Sequence, residues 1–153
     1  MSTYSCVVDT NVFVDGLFSN DPDCLKVMDL IENNIINLYF SRDTIGELMQ
    51  ILKNFSRHNL TEEDGIEILQ NFAALFYTSK SYNDSKVVPT VTLKDTDDTM
   101  FLKCAIRGNV DYLITNDRRS GLFGVTDYSF QTISASDFIA HHESDDELGN
   151  EVG

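Results

Sequence analysis

The sequence predicts an α/β protein, with a three-layer α/β/α fold around a central parallel sheet of about four to five strands. Three observations carry that prediction. Short β-rich runs alternate with longer stretches of helical periodicity. The 153 residues, 42% of them apolar, suffice for one buried core without cross-links. Two prolines, eight glycines and no internal repeat or low-complexity tract leave little room for an interdomain linker. Alternation of strand and helix then imposes right-handed crossovers and helices on both faces of the sheet.

Tyr4–Val8 reads as the first strand, and Asp23–Asn34 as a helix whose apolar positions are Leu25, Met28, Leu30 and Ile31. Ile35–Phe40 is the second strand. Ser41 is placed to cap a helix on which Ile45, Leu48, Met49, Leu52 and Phe55 recur at helical spacing. Thr61-Glu62-Glu63-Asp64 starts the next helix, because acids in a first turn complement the helix dipole. Ile66, Leu69, Phe72, Ala73 and Phe76 carry it on, and the two helices form a hairpin.

Beyond a polar loop, Lys86–Val91 is expected to be an edge strand, since Pro89 cannot donate to a central ladder. Thr96 or Asp97 caps a helix that runs to Arg107 and ends at Gly108. Asp111–Thr115 is a buried strand and Phe130–Ile133 a further one. The compact domain is expected to span residues 1–142. Glu143–Gly153, with five acids and no base, is expected to be a disordered acidic tail.

The formal charge of −14, from 25 acids and 11 bases, excludes a protein that coats nucleic acid nonspecifically. Cys6, Cys24 and Cys104 are widely spaced and odd in number, which fits reduced, buried thiols in a cytoplasmic protein. The opening residues show no basic, apolar signal segment, and no apolar run is long enough to span a membrane.

Ligands of open parallel sheets bind beyond the carboxyl ends of the strands, where strand order reverses. Asp9 directly follows the first strand, and Asp117 follows Leu113-Ile114-Thr115 by two residues. Aspartate after a strand is also ordinary turn chemistry, so neither acid is decisive alone. Asp98 heads an apolar helix face with Phe101, Leu102, Ala105 and Ile106, an expensive place for a charge that meets no cation or donor. Asp97 lies about 100° round the same helix and suits a capping role. Glu47 lies about 200° from Ile45 on its helix, so periodicity alone leaves it a solvated residue.

Four acids in one crevice would repel one another without a counterion. An all-oxygen donor set suits Mg2+ or Mn2+ rather than zinc. His58, His141 and His142 fall at a helix end and beside the acidic tail, where surface histidines are usually no ligands.

From about Tyr4 to Ile139 the chain resembles the PIN-domain nucleases, in the branch of toxins from toxin–antitoxin pairs. Val7-Val8-Asp9-Thr10-Asn11-Val12-Phe13 resembles the first family motif, and Ser41-Arg42-Asp43-Thr44-Ile45-Gly46-Glu47-Leu48 the second. Lys94 to Leu102 and Asp111 to Asp117 resemble the third and fourth. That resemblance brings in Glu47 and implies that Asp9, Glu47, Asp98 and Asp117 hold Mg2+ or Mn2+ and position water. Thr10, Asn11 and Thr115 would orient carboxylates or phosphate. It further implies hydrolysis of RNA phosphodiester bonds, a cognate antitoxin and a homodimer. Asn116 departs from the branch, which commonly has glycine there. Lys94, Arg118 and Arg119 flank the proposed ligands and are candidate phosphate contacts, in a stretch from 94 to 119 that holds five of the eleven bases.

Two other readings compete. The acids could be a residual metal site in a non-catalytic binding module, because fold does not prove activity. An aspartate-nucleophile phosphatase would share Val7-Val8-Asp9-Thr10, but needs a second aspartate where Asn11 stands.

Overall fold

The computed structural model describes residues 3–82, 89, 93 and 98–152. Five parallel strands, β1 (Tyr4–Val8), β2 (Ile36–Ser41), β3 (Lys80–Tyr82), β4 (Tyr112–Ile114) and β5 (Gln131–Ile133), form one sheet. Their order is β3-β2-β1-β4-β5. Helices α1 (Thr10–Ser19) and α2 (Pro22–Glu32) lie between β1 and β2, and α3 (Arg42–Asn59) and α4 (Glu62–Thr78) between β2 and β3. A fifth, α5 (Thr99–Gly108), precedes β4, and α6 (Ala135–Val152) follows β5. The expected α/β architecture is therefore the observed one.

Side chains alternate across the sheet and divide the core in two. On one face Tyr4, Cys6, Val8, Ile36, Leu38, Ile114 and Ile133 pack with α1, α2, α3, α4 and α6, through residues such as Phe13, Val27, Leu52, Phe72 and Phe138. On the other, Val7 and Leu113 pack with Phe101, Leu102 and Ala105 of α5 and with Leu122, Val125 and Phe130. All three cysteines are free and buried, as expected.

Local chemistry sets the helix starts. Asp21 accepts the amides of Asp23 and Cys24 ahead of Pro22, which opens α2. Ser41 and Thr44 form a reciprocal capping box on α3, with Ser41 N donating to Thr44 Oγ1 at 2.9 Å and Thr44 N to Ser41 Oγ at 3.3 Å. This fixes the first turn of α3 to the end of β2. Thr61 caps α4, which starts where predicted.

The structure corrects several expectations. Helix α1 was not anticipated; its stability comes from packing on α2, where a Cβ on Gly16 would stand 3.1 Å from Met28 Sδ. Gly108 does not end α5 by conformation. Asn109 takes the left-handed cap, φ 47°, while Gly108 leaves room for the Tyr39 ring, 2.5 Å from where its Cβ would be. The strand beside β2 is Lys80–Tyr82, and the expected strand at 86–91 falls outside the described residues apart from position 89. The helix containing residues 135–142 does not stop at the expected tail boundary but continues to Val152. Its acidic half is tethered by Tyr4 Oη donating to Asp145 Oδ2 at 2.9 Å and by Lys26 pairing with Glu143 at 3.2 Å. Those partners are distant in sequence, so composition alone suggested disorder.

Candidate functional site

The chain leaves β1 toward β2 on one side, whereas β4 pairs with β1 on the other. Strand order thus reverses between β1 and β4, and the crevice at their carboxyl ends is the place where such sheets bind ligands. Val8 pairs with Ile114, and Asp9 N donates to Ile114 O at 2.9 Å, which brings Asp9 alongside Thr115.

Asp9 occupies the cap position of α1 yet makes no side-chain capping bond, so its carboxylate is turned elsewhere. Thr115 Oγ1 donates to Asp9 Oδ2 at 2.8 Å, and Asn11 Nδ2 donates to the same oxygen at 3.1 Å. The group is only 4% exposed. Burial pushes its pKa up to about 6, against the opposing pull of the Thr115 hydroxyl; the charge of Glu47 raises it further, and the nearby amides of Asn11 and Thr10 lower it.

Glu47 is half-buried and accepts a 2.6 Å hydrogen bond from Thr10 Oγ1. It therefore faces the first motif rather than solvent, which corrects the reading from periodicity. No local pattern could have revealed this, because the partner lies 37 positions away. Asp117 stands at the mouth of β4; its amide donates to Thr115 Oγ1 at 3.1 Å, and its Oδ1 accepts Arg119 N at 2.9 Å. The turn chemistry expected of a strand-end aspartate is thus present.

Asp98 is buried, as predicted for the head of an apolar face, but it sits at the cap position just ahead of α5, without a side-chain capping bond. Because α5 runs back to the start of β4, its first turn lies toward the carboxyl edge of the sheet. Asp97 and Lys94 fall outside the described residues. Arg118 and Arg119 are exposed; the Arg118 guanidinium lies 4.7 Å above the Phe123 ring and 3.9 Å from Asp137.

Asn116, noted in the sequence only as a departure, proves to be a junction. Its backbone amide donates to Asn11 Oδ1 at 3.2 Å, its Oδ1 accepts Ala135 N at 3.1 Å, and its Nδ2 lies 3.2 Å from Cys24 Sγ and 3.4 Å from Asp15 Oδ2. A strand-end asparagine carries no sequence signal for such a role.

A family model described as the PIN domain matches residues 5–119. The chain belongs to the PIN-domain family. The match takes in Asp9, Glu47, Asp98 and Asp117, and places this PIN domain among nucleases. Of solved structures, VapBC2 from Rickettsia felis bound to a DNA fragment from their promoter has the same fold, with a TM-score of 0.55 and 13% identity, over 85% of this chain and 98% of that one. No curated protein matches it. No helix among the described residues of this PIN domain is long and apolar enough to cross a membrane.

The donor chemistry at the crevice fits a hard divalent cation: the groups are carboxylates, and Asp9 is held at a depth where its charge is costly. Among the described residues no three acidic, histidine or cysteine side chains are already gathered as a ligand cluster. Asp9 and Glu47, close enough to interact electrostatically, are the assembled part.

Proposed function

We propose that this PIN domain is a divalent-metal-dependent endoribonuclease, with Asp9, Glu47, Asp98 and Asp117 as the carboxylates that hold Mg2+ or Mn2+ and position the attacking water. The observation that carries the reading is Asp9: a nearly inaccessible carboxylate beside a second acid, at the reversal point of the sheet, oriented by two side-chain donors. A bound cation would supply Lewis-acid activation of water and neutralise charge on the scissile phosphate. Thr115 and Asn11 orient Asp9, and Thr10 orients Glu47, so that both present lone pairs to the crevice. Arg118 and Arg119 contact substrate phosphate at the rim, and Lys94 belongs with them by sequence position.

The resemblance to toxins of toxin–antitoxin pairs, with the fold shared with VapBC2, supports a cognate antitoxin as protein partner; a homodimer follows only from the family resemblance, and a cytoplasmic setting only from that resemblance and the three free cysteines. The second reading, a non-catalytic binding module, is favoured by the charge of −14. An aspartate-nucleophile phosphatase has no such support, because the amide at position 11 is engaged with Asp9 and Asn116.

Labelled single-stranded RNAs and DNAs, incubated with Mn2+, Mg2+ or chelator and with wild type or a folded Asp98→Asn variant, test the proposal. Metal-dependent RNA cleavage that is lost in the variant is the expected result. Metal binding without cleavage of any substrate would favour the binding module. Cleavage of DNA but not RNA would reassign the substrate.

A further inference from the structure

We propose that Asn116 is a positioning residue for the Asp9 centre, acting through Asn11; its link to catalysis rests on the nuclease reading above. Asn11 faces two ways. Its Nδ2 donates to Asp9 Oδ2 at 3.1 Å and approaches Thr115 Oγ1 at 3.5 Å, while its Oδ1 accepts the Asn116 amide at 3.2 Å. The Asn11 side chain is therefore aimed at Asp9 only while the backbone of residue 116 stays in place.

The Asn116 side chain holds that backbone. Its carbonyl oxygen accepts the amide of Ala135 at the start of α6, and its amino group is directed at Asp15 Oδ2 on α1 and Cys24 Sγ on α2. One residue thus ties the end of β4 to three helices. A primary amide suits this place, since the Ala135 side needs an acceptor and the Asp15 side, on the other branch, needs a donor. Aspartate would set a second carboxylate against Asp15, and alanine or glycine would leave the Ala135 amide and Asp15 without this partner. Cys24, only a buried free thiol by sequence, here becomes part of the clasp; burial pushes its pKa up to about 12, so it stays a neutral thiol.

The test compares wild type, Asn116→Ala and Ser41→Ala. The last removes a helix cap and controls for lost stability. In the metal-free protein, solvent exchange of the Asn11 side-chain amide protons, followed by NMR, is expected to quicken in Asn116→Ala and not in Ser41→Ala. Mn2+ affinity measured by calorimetry is expected to fall about tenfold in Asn116→Ala, the scale for losing a group that orients a ligand. Asn11 exchange unchanged in Asn116→Ala, or accelerated equally in Ser41→Ala, would overturn the clasp. If the wild type binds no Mn2+, the metal-dependent reading fails, while the NMR comparison still decides whether Asn116 positions Asn11.

Discussion

The two edges of the sheet carry similar residues in opposite electrostatic conditions. At the amino edge, Asp145 accepts the Tyr4 hydroxyl at 2.9 Å and lies 3.4 Å from His141 Nε2, and Tyr112 Oη is 3.1 Å from His141. Asp111, exposed there, accepts the Ser5 amide at 2.9 Å. Each of these acids has donors and access to water. At the carboxyl edge Asp9 also has donors, but it is buried and faces Glu47, and its proton is held until about pH 6. Hydrogen bonds alone do not make an acid comfortable. The amino edge fastens α6 to the sheet, whereas the carboxyl edge buries a carboxylate beside a second acid.

The largest expected effect lies at the carboxyl edge. Asp9→Asn is predicted to lower metal-dependent RNA cleavage by at least about a hundredfold, beyond the loss typical of an orienting group, with the fold intact by circular dichroism. Retained activity would break the contrast between the edges. Tyr4→Phe, at the amino edge, removes a hydroxyl donor while keeping the ring against Phe138, 5.2 Å between centroids. It is expected to cost about 1 kcal/mol in urea unfolding and to leave cleavage unchanged. Lys26→Ala breaks an ion pair whose side chains are 53% and 59% exposed. It should change stability by less than about 1 kcal/mol, and less still at high salt.

The same contrast explains what could be read in advance. Strand-end positions made Asp9 and Asp117 visible, and the apolar stripe of α5 made Asp98 visible, because those signals are local. Glu47 became legible only through family resemblance; its contact with Thr10 joins α3 to α1. Helix α1 escaped notice because Thr10, Val12 and Val14 are β-branched and Gly16 follows them, so intrinsic propensity is poor and tertiary packing decides. The acidic half of α6 escaped for a related reason, since Lys26 and Tyr4, which hold it, are far away in the chain.

The central claim is that the buried charge of Asp9 is left for a metal ion to match, and stability against pH tests it most directly. The native pKa of about 6 lies above the ordinary 3.8. Below 3.8 Asp9 is protonated in both states and carries no penalty. As pH rises through that window the unfolded chain releases its proton first, and the native state loses up to about 3 kcal/mol, fully expressed above the native value. Urea unfolding of wild type and Asp9→Asn at pH 4 and pH 7, in chelator and in Mn2+, isolates this contribution. The stability difference should shift toward Asp9→Asn by about 2 kcal/mol between pH 4 and pH 7 in chelator, and the shift should shrink or reverse in Mn2+. A difference independent of pH, or one that Mn2+ leaves untouched, would contradict the account.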